Sequence, residues 1–171
     1  MMAPKGAAFL YARPEVQKWL DPLVLSWGYD SKPGYGSGNQ FTDYHEWQGT
    51  RDIAAFLSVP AAIDFQREQD WDHVRTHCRG LVRVAQQQMQ TLTGIAPICA
   101  DPDEWLGQMV ALPIPAEVDG EFLKARLYDE YRIEIPFTEW EDQSFLRISI
   151  QGYNTQDEVS AFVNAIRELL G

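Results

Sequence analysis

The stretch Trp71–Gly94, WDHVRTHCRGLVRVAQQQMQTLTG, carries a long helical pattern. A glycine stands at position 94, two residues after Leu92, the last apolar residue of the pattern. Glycine readily adopts the left-handed conformation that ends a helix. The pattern predicts a helix over residues 71–92 with one buried face, on which Cys78 is a small core residue rather than a nucleophile. The apolar residues that recur at intervals of three and four are Trp71, Val74, Cys78, Leu81, Val82, Ala85, Met89 and Leu92.

The chain after this helix predicts the order β-α-β-β-α, a small α+β domain. The strands are QMVALPIP (108–115), RIEIPF (132–137) and SFLRISIQGY (144–153). The first of the two helices, residues 119–131, is predicted to turn Phe122, Leu123 and Leu127 inward. The second helix occupies residues 155–171, where Thr155 and Glu158 have the spacing of a capping box.

The chain before this helix is less regular. Residues 6–13, GAAFLYAR, predict a short buried strand, and PEVQKWL predicts one or two helical turns. Residues 29–44 hold three glycines and a proline, which predicts a long loop. A helix is expected from about Arg51 to Gln66, with Thr50 as its N-cap.

Composition bounds the class of protein. The chain has 171 residues, 45% of them hydrophobic, enough to bury a core. It lacks the roughly 18 consecutive apolar residues of a membrane span and the charged-then-apolar order of a signal peptide. Two cysteines without a CxxC motif fit a reducing compartment. We therefore expect a cytoplasmic protein with no membrane partner.

Charge is distributed unevenly along the chain. Residues 1–94 carry 9 Lys and Arg against 10 Asp and Glu, whereas residues 95–171 carry 5 against 15. An acidic surface repels phosphate backbones, so nucleic acid is excluded as a partner. A small anion can still bind where an arginine and backbone amides converge.

Arg147 is the sharpest candidate for such a contact. Strand alternation places Leu146, Ile148 and Ile150 on one face and Arg147 on the other, together with Phe145 and Ser149. A guanidinium suits a carboxylate because it donates two parallel hydrogen bonds. The alternative is an exposed arginine on the open face of a sheet.

Three further patterns are weaker. In HEWQGTRD (residues 45–52) a threonine hydroxyl and backbone amides either hold a phosphate or cap a helix. His73 and His77 have the spacing of two metal ligands, but no third ligand is visible, so we predict polar side chains in solvent and no metal. Glycines alternate in PGYGSGN (33–39) without a strand-then-helix frame, which favours a flexible lid over a phosphate loop.

Three stretches together resemble a known family: APKGAAFLYARPEV, YHEWQGTRDIAAFLSVPAAIDF and RISIQGYNTQDEV. In this order they are similar to the C-terminal part of class V aminotransferase-fold enzymes, closest to the isopenicillin N epimerase-like branch. The resemblance implies an α/β protein with a partial type I pyridoxal 5′-phosphate (PLP)-dependent transferase fold. Residues 1–66 would be the C-terminal remnant of the large PLP-binding domain, 67–94 a linking helix, and 95–171 a complete small α+β domain.

The resemblance also assigns roles to residues. The family uses PLP on amino-acid substrates. Gly49 and Thr50 would be cofactor-binding, with the Thr50 hydroxyl reaching the PLP phosphate across a homodimer interface, and Arg147 would hold the substrate α-carboxylate. The role of Arg51 is left open, with Asp52 and Glu46 as possible ion-pair partners.

One departure from the family bears on activity. Family members are more than twice as long, and their PLP lysine lies just before the segment that matches APKGAAFLY, where this chain has Met1 and Met2. Lys5 does not align with that lysine. We therefore expect a fragment with no catalytic residue of its own, inactive alone and holding no PLP stably. The alternatives are a non-catalytic dimerising or regulatory module, or one half of a split enzyme.

Overall fold

The computed structural model describes residues 2–30, 36–99 and 102–171. The chain divides into two compact units, Met1–Arg67 and Glu68–Gly171. The second unit contains a three-stranded sheet and long helices, and the first contains short helices only among its described residues. Each unit is described by itself.

The second unit is built on helix α5, Trp71–Thr93, as the apolar stripe predicts. Its buried residues include Cys78, Leu81, Val82, Ala85 and Met89. Gly94 ends the helix at φ 72°, and its N–H donates to the carbonyl of Gln90 at 2.9 Å. Only glycine adopts this left-handed conformation without strain, which explains why the helix stops there.

The sheet has the order β1-β3-β2 and is antiparallel throughout, with β1 Met109–Ile114, β2 Phe137–Trp140 and β3 Gln143–Ser149. Helix α7, Gly120–Tyr131, lies between β1 and β2 in the chain, and α8, Gln156–Leu170, follows β3. The predicted order β-α-β-β-α is therefore confirmed. Helix α6, Pro102–Trp105, precedes the sheet.

The core of the second unit lies between the helices and the sheet. Helix α5 contacts α8 and β1, and α7 contacts α8 and the other two strands. The predicted capping box begins α8: the N–H of Glu158 donates to Thr155 Oγ1 at 3.3 Å, and the N–H of Thr155 donates to Glu158 Oε2 at 2.8 Å. The largest fully buried side chains are Met89, Leu112, Leu127, Leu146, Ile166, Val82 and Cys78.

Three details of this unit differ from the sequence prediction. Strand β2 begins at Phe137 rather than Arg132, because Pro136 has no N–H to donate to a ladder. Phe122 is 61% exposed although it was expected to face inward. Phe145 is buried at 3% although it shares a strand face with the exposed Arg147, because it lies on the central strand between Pro113 and Thr138.

The described residues of the first unit bury little apolar surface. Its helices are α1 Pro14–Gln17, α2 Gln40–Glu46, α3 Ala54–Leu57 and α4 Val59–Glu68, the last of which ends one residue past the boundary between the units. Within residues 2–30 and 36–67, Ala12 is the one buried apolar residue. The predicted buried strand at residues 6–13 is wrong: this segment is irregular, and Phe9 is 78% exposed. A strand needs a neighbour to pair with, and all the described strands lie in the second unit.

Two further predictions for the first unit, one of a loop and one of a helix, are also corrected. The loop expected over residues 29–44 contains the start of α2, where Asn39 Oδ1 accepts from the N–H of Thr42 at 3.3 Å; residues 31–35 of that loop lie outside the described residues. The helix expected from Arg51 to Gln66 is broken at Ser58. Pro60 has no N–H to offer the carbonyl four residues earlier, so α3 cannot continue into α4.

Candidate functional site

Gly49 and Thr50 lie in the turn between α2 and α3. Gly49 has φ 111°, a conformation that favours glycine, and a Cβ added there would meet nothing within 4 Å. Thr50 is exposed and is not a helix cap, which corrects the N-cap prediction. The N-cap of α3 is Ile53, and just before it Asp52 Oδ1 accepts from the N–H of Ala54 at 2.8 Å. Within the described part of the chain, the Thr50 hydroxyl makes no hydrogen bond and is free to bind a ligand.

This turn forms one rim of a pocket of about 820 Å³ inside the first unit. Gly49, Thr50 and Arg51 are among the residues that offer it polar donors, and Glu46 and His45 also line it. The His45 ring is held by a contact between Nε2 and the carbonyl of Leu20 at 3.3 Å. The pocket therefore combines apolar walls with a cluster of hydrogen-bond donors. The apolar walls come from Phe9, Leu10, Phe41, Trp47, Ile53 and Phe56.

Arg51 is held in place at this rim. Its Nη1 donates to Gln48 Oε1 at 3.2 Å, and its guanidinium carbon lies 4.9 Å from the centre of the Phe56 ring. The expected ion pairs with Asp52 or Glu46 are not formed among the described residues. A guanidinium over an aromatic ring keeps its charge and its outer donors, so Arg51 remains able to bind an anion.

Arg147 lies on the central strand of the second unit, opposite Ala111 of β1. Its backbone N–H donates to the carbonyl of Pro136 at 3.0 Å. The side chain is exposed, and within the part of the chain that the structure describes it forms no ion pair or hydrogen bond. It lines a pocket of about 240 Å³ together with Glu134, Ser149 and Asn154.

A hydrogen-bond network in the turn after β3 holds the wall of the Arg147 pocket, and the sequence predicts only its capping box. The N–H of Gln151 donates to Asn154 Oδ1 at 2.9 Å, and Asn154 Nδ2 donates to Glu158 Oε2 at 3.2 Å. Glu158 thus serves the capping box and the turn at once. Asn154 was missed as part of this site, although an asparagine just before a capping box is a recognisable turn signal.

The other candidates do not join either pocket. Cys78 is fully buried, and burial raises the pKa of its thiol, which suits a core residue. His73 and His77 are exposed on α5, and no group of three or more potential metal ligands occurs among the described residues. Of the alternating glycines, Gly34 lies outside the described residues and Gly36 and Gly38 are exposed; the lid stays a prediction.

Comparison with known proteins places the chain in a class. The profile described as aminotransferase class-V matches residues 1–162. The chain therefore belongs to the aminotransferase class-V family, whose enzymes depend on PLP and act on amino acids. Thr50, Gly49 and Arg147 all lie inside the matched range.

Individual relatives narrow the comparison. The chain is 32% identical to "Isopenicillin N epimerase" of Amycolatopsis lactamdurans, covering 99% of this chain and 44% of the relative. It is 31% identical to "Isopenicillin N epimerase" of Streptomyces clavuligerus, covering 100% and 45%. It is 30% identical to "Probable L-cysteine desulfhydrase, chloroplastic" of Arabidopsis thaliana, covering 98% and 37%. The chain thus spans less than half the length of these curated relatives.

Membrane insertion finds no support in the helices. None of those in the described ranges combines the length and the apolar character needed to cross a bilayer.

Proposed function

We propose that this chain forms part of a PLP-dependent enzyme acting on an amino acid, in which Gly49 and Thr50 bind the cofactor phosphate and Arg147 binds the substrate carboxylate. The observation that carries the proposal is that these residues, which the family resemblance selects, line two pockets, one in each unit. The relatives are named for different reactions, epimerisation and desulfhydration. We therefore propose the substrate class, an amino acid, and leave the reaction type open.

The donors around Gly49 fit a phosphate. Thr50 offers a hydroxyl, Gly49 leaves open space for an approaching oxygen, and Arg51 offers a fixed positive charge. Hydrogen bonds to a charged acceptor are stronger than those between neutral groups. When bound, PLP supplies an electron sink for amino-acid chemistry. The residues of this chain only hold and orient its phosphate.

The role of Arg147 follows from its geometry. A single guanidinium with no partner among the described residues can offer both of its parallel donors to one carboxylate, which fixes the orientation of the ligand as well as its position. The surrounding wall is braced by Asn154 and Glu158. This bracing limits the movement of the strand end that carries Arg147.

Covalent attachment of PLP is not expected from this chain. None of the described lysines lines the Thr50 pocket or the Arg147 pocket. We expect that PLP treatment followed by borohydride leaves no stoichiometric adduct on one lysine, as read by mass spectrometry. A stoichiometric adduct on Lys5 would contradict the proposal that the reactive lysine lies elsewhere.

A second copy of the chain is the proposed partner of the first unit. Its exposed apolar side chains include Phe9, Leu23, Leu25 and Trp27, and burying such side chains against a partner favours association. We expect light scattering to show self-association that grows with concentration. A clean monomer at high concentration would instead favour a different partner, such as a separate chain that carries the other half of a split enzyme.

The two binding roles are tested by separate probes, with NMR detection of weak binding. Inorganic phosphate is titrated into the Thr50→Val variant, and propionate is titrated into the Arg147→Lys variant. Each variant should weaken its own probe about tenfold, the value of one hydrogen bond to a charged group, and leave the other probe unchanged. Thr138→Val and Arg79→Lys are matched controls, because both residues are exposed and line neither pocket. Affinities within twofold of the parent protein in both variants would contradict the proposal.

A further inference from the structure

The Arg147 pocket forms where strand pairing ends at one edge of the sheet. Strand β2 pairs with β3 only from Phe137 onward, and Pro136 accepts the last hydrogen bond, from Arg147. Before Pro136 the chain is not part of the ladder, which leaves a pocket beside the end of β3. Its floor reaches the core, because Ile135, Ile150 and Phe162 are buried.

Three charged side chains line this pocket, and they are not equivalent. Glu158 Oε2 already accepts from Thr155 and Asn154, so that carboxylate is committed to the fold. Glu134 and Arg147 are both exposed, and within the described residues neither side chain forms an ion pair or hydrogen bond. The pocket therefore presents one positive and one negative group that are both free to bind and do not neutralise each other.

The charge balance decides what such a pocket binds. A simple carboxylate satisfies Arg147 but adds a third negative charge to a pocket that already holds two. An amino acid brings an ammonium group with its carboxylate and adds no net charge. Opposite charges attract at short range even at exposed sites, although weakly. Glu134 is the carboxylate available to receive that ammonium group.

We propose that Glu134 is a specificity-determining residue that makes the Arg147 pocket select zwitterionic amino acids over simple carboxylates. The inference rests on the proposed function, because it takes the Arg147–carboxylate contact as given. It concerns the docking of the free amino acid and no later step. The volume of about 240 Å³ lies below the roughly 300–1,000 Å³ of pockets for drug-sized ligands, which fits a small amino acid.

The test compares L-alanine with propionate, which differ only by the ammonium group. NMR titration should show the parent protein binding L-alanine about two- to fivefold more tightly than propionate, the range expected for one exposed charge contact. Glu134→Gln should reduce this ratio to about one without weakening propionate. Glu139→Gln is the matched control, since Glu139 is exposed on β2 and lines no part of the pocket.

The outcomes separate the two proposals. If Glu134→Gln keeps the preference for L-alanine, or if Glu139→Gln loses it equally, the role of Glu134 is wrong while the Arg147 contact stands. If Arg147→Lys leaves propionate affinity unchanged, or if the parent protein binds neither ligand, the proposed carboxylate site itself is wrong. Circular dichroism on each variant confirms that the second unit is still folded.

Discussion

Gly120 and Gly80 both lie in helices but in opposite surroundings. A Cβ added at Gly120 would overlap the Phe137 ring, whereas one added at Gly80 would meet nothing within 4 Å. We expect Gly120→Ala to lower the free energy of unfolding by about 1–3 kcal/mol through overpacking. We expect Gly80→Ala to raise it by about 0.5–1 kcal/mol, because alanine favours an exposed helix interior.

Urea denaturation followed by circular dichroism measures both changes. The double variant Gly120→Ala/Phe137→Leu is the control, because a smaller side chain at position 137 should relieve part of the clash. Destabilisation by Gly80→Ala, or none by Gly120→Ala, would contradict the packing described.

The proposed site residues differ in how far the sequence could point to them. Arg147 stands out in the sequence, because a charge in mid-strand between apolar neighbours is conspicuous, and its binding role stays a prediction. Thr50 is proposed from the family resemblance, while the competing N-cap interpretation is wrong because α3 begins only after Ile53. Glu134 was missed, since its place in the pocket depends on the break in pairing at Pro136, which only the register reveals.

At the scale of elements, prediction succeeded where an element has a partner in the same unit. Helices α5 and α8 follow their apolar stripes because each packs against the other. Residues 6–13 carry an equally apolar run, but among the described residues no strand lies beside them, and hydrophobicity alone does not make a strand. Pairing, unlike periodicity, is not encoded within the segment itself.

Helices α7 and α8 are joined by one polar contact with a definite pH dependence. The Tyr131 hydroxyl donates to Glu168 Oε2 at 2.8 Å, and this hydrogen bond is the main cause that raises the pKa of Tyr131 above its usual value. A raised pKa means that the contact stabilises the fold below the unfolded pKa, near 10, and is lost as pH rises through the folded value.

We expect Glu168→Ala to lower the pKa of Tyr131 toward its usual value, read by NMR titration of the tyrosine rings. Tyr128 is exposed and serves as an internal reference in the same helix. If the Tyr131 titration curve does not move, the contact between the two helices does not persist in solution.

At the scale of the whole molecule, the two units differ in what holds them folded. All buried apolar residues described, except Ala12, lie in the second unit. We expect residues 68–171 produced alone to unfold cooperatively in urea, and residues 1–67 produced alone to show no cooperative transition, because burial is the main term that offsets chain entropy. Hydrogen exchange on the full chain should show protection in α5, β3 and α8 and little before residue 67. Equal protection in both units would contradict this division.

The uneven charge noted along the sequence has a consequence for ligand encounter. Residues 95–171 carry 15 acidic against 5 basic side chains, and Arg147 lies among them. The summed field repels an incoming anion, and this repulsion is screened beyond about 30 Å at 0.01 M salt but beyond about 10 Å at 0.1 M. Propionate should therefore associate faster as ionic strength rises, the reverse of most charge-guided binding, while the neutral zwitterion L-alanine should be almost indifferent. NMR exchange rates across this salt range measure the difference, and faster propionate binding at low salt would show that the local charge of Arg147 outweighs the acidic surface around it.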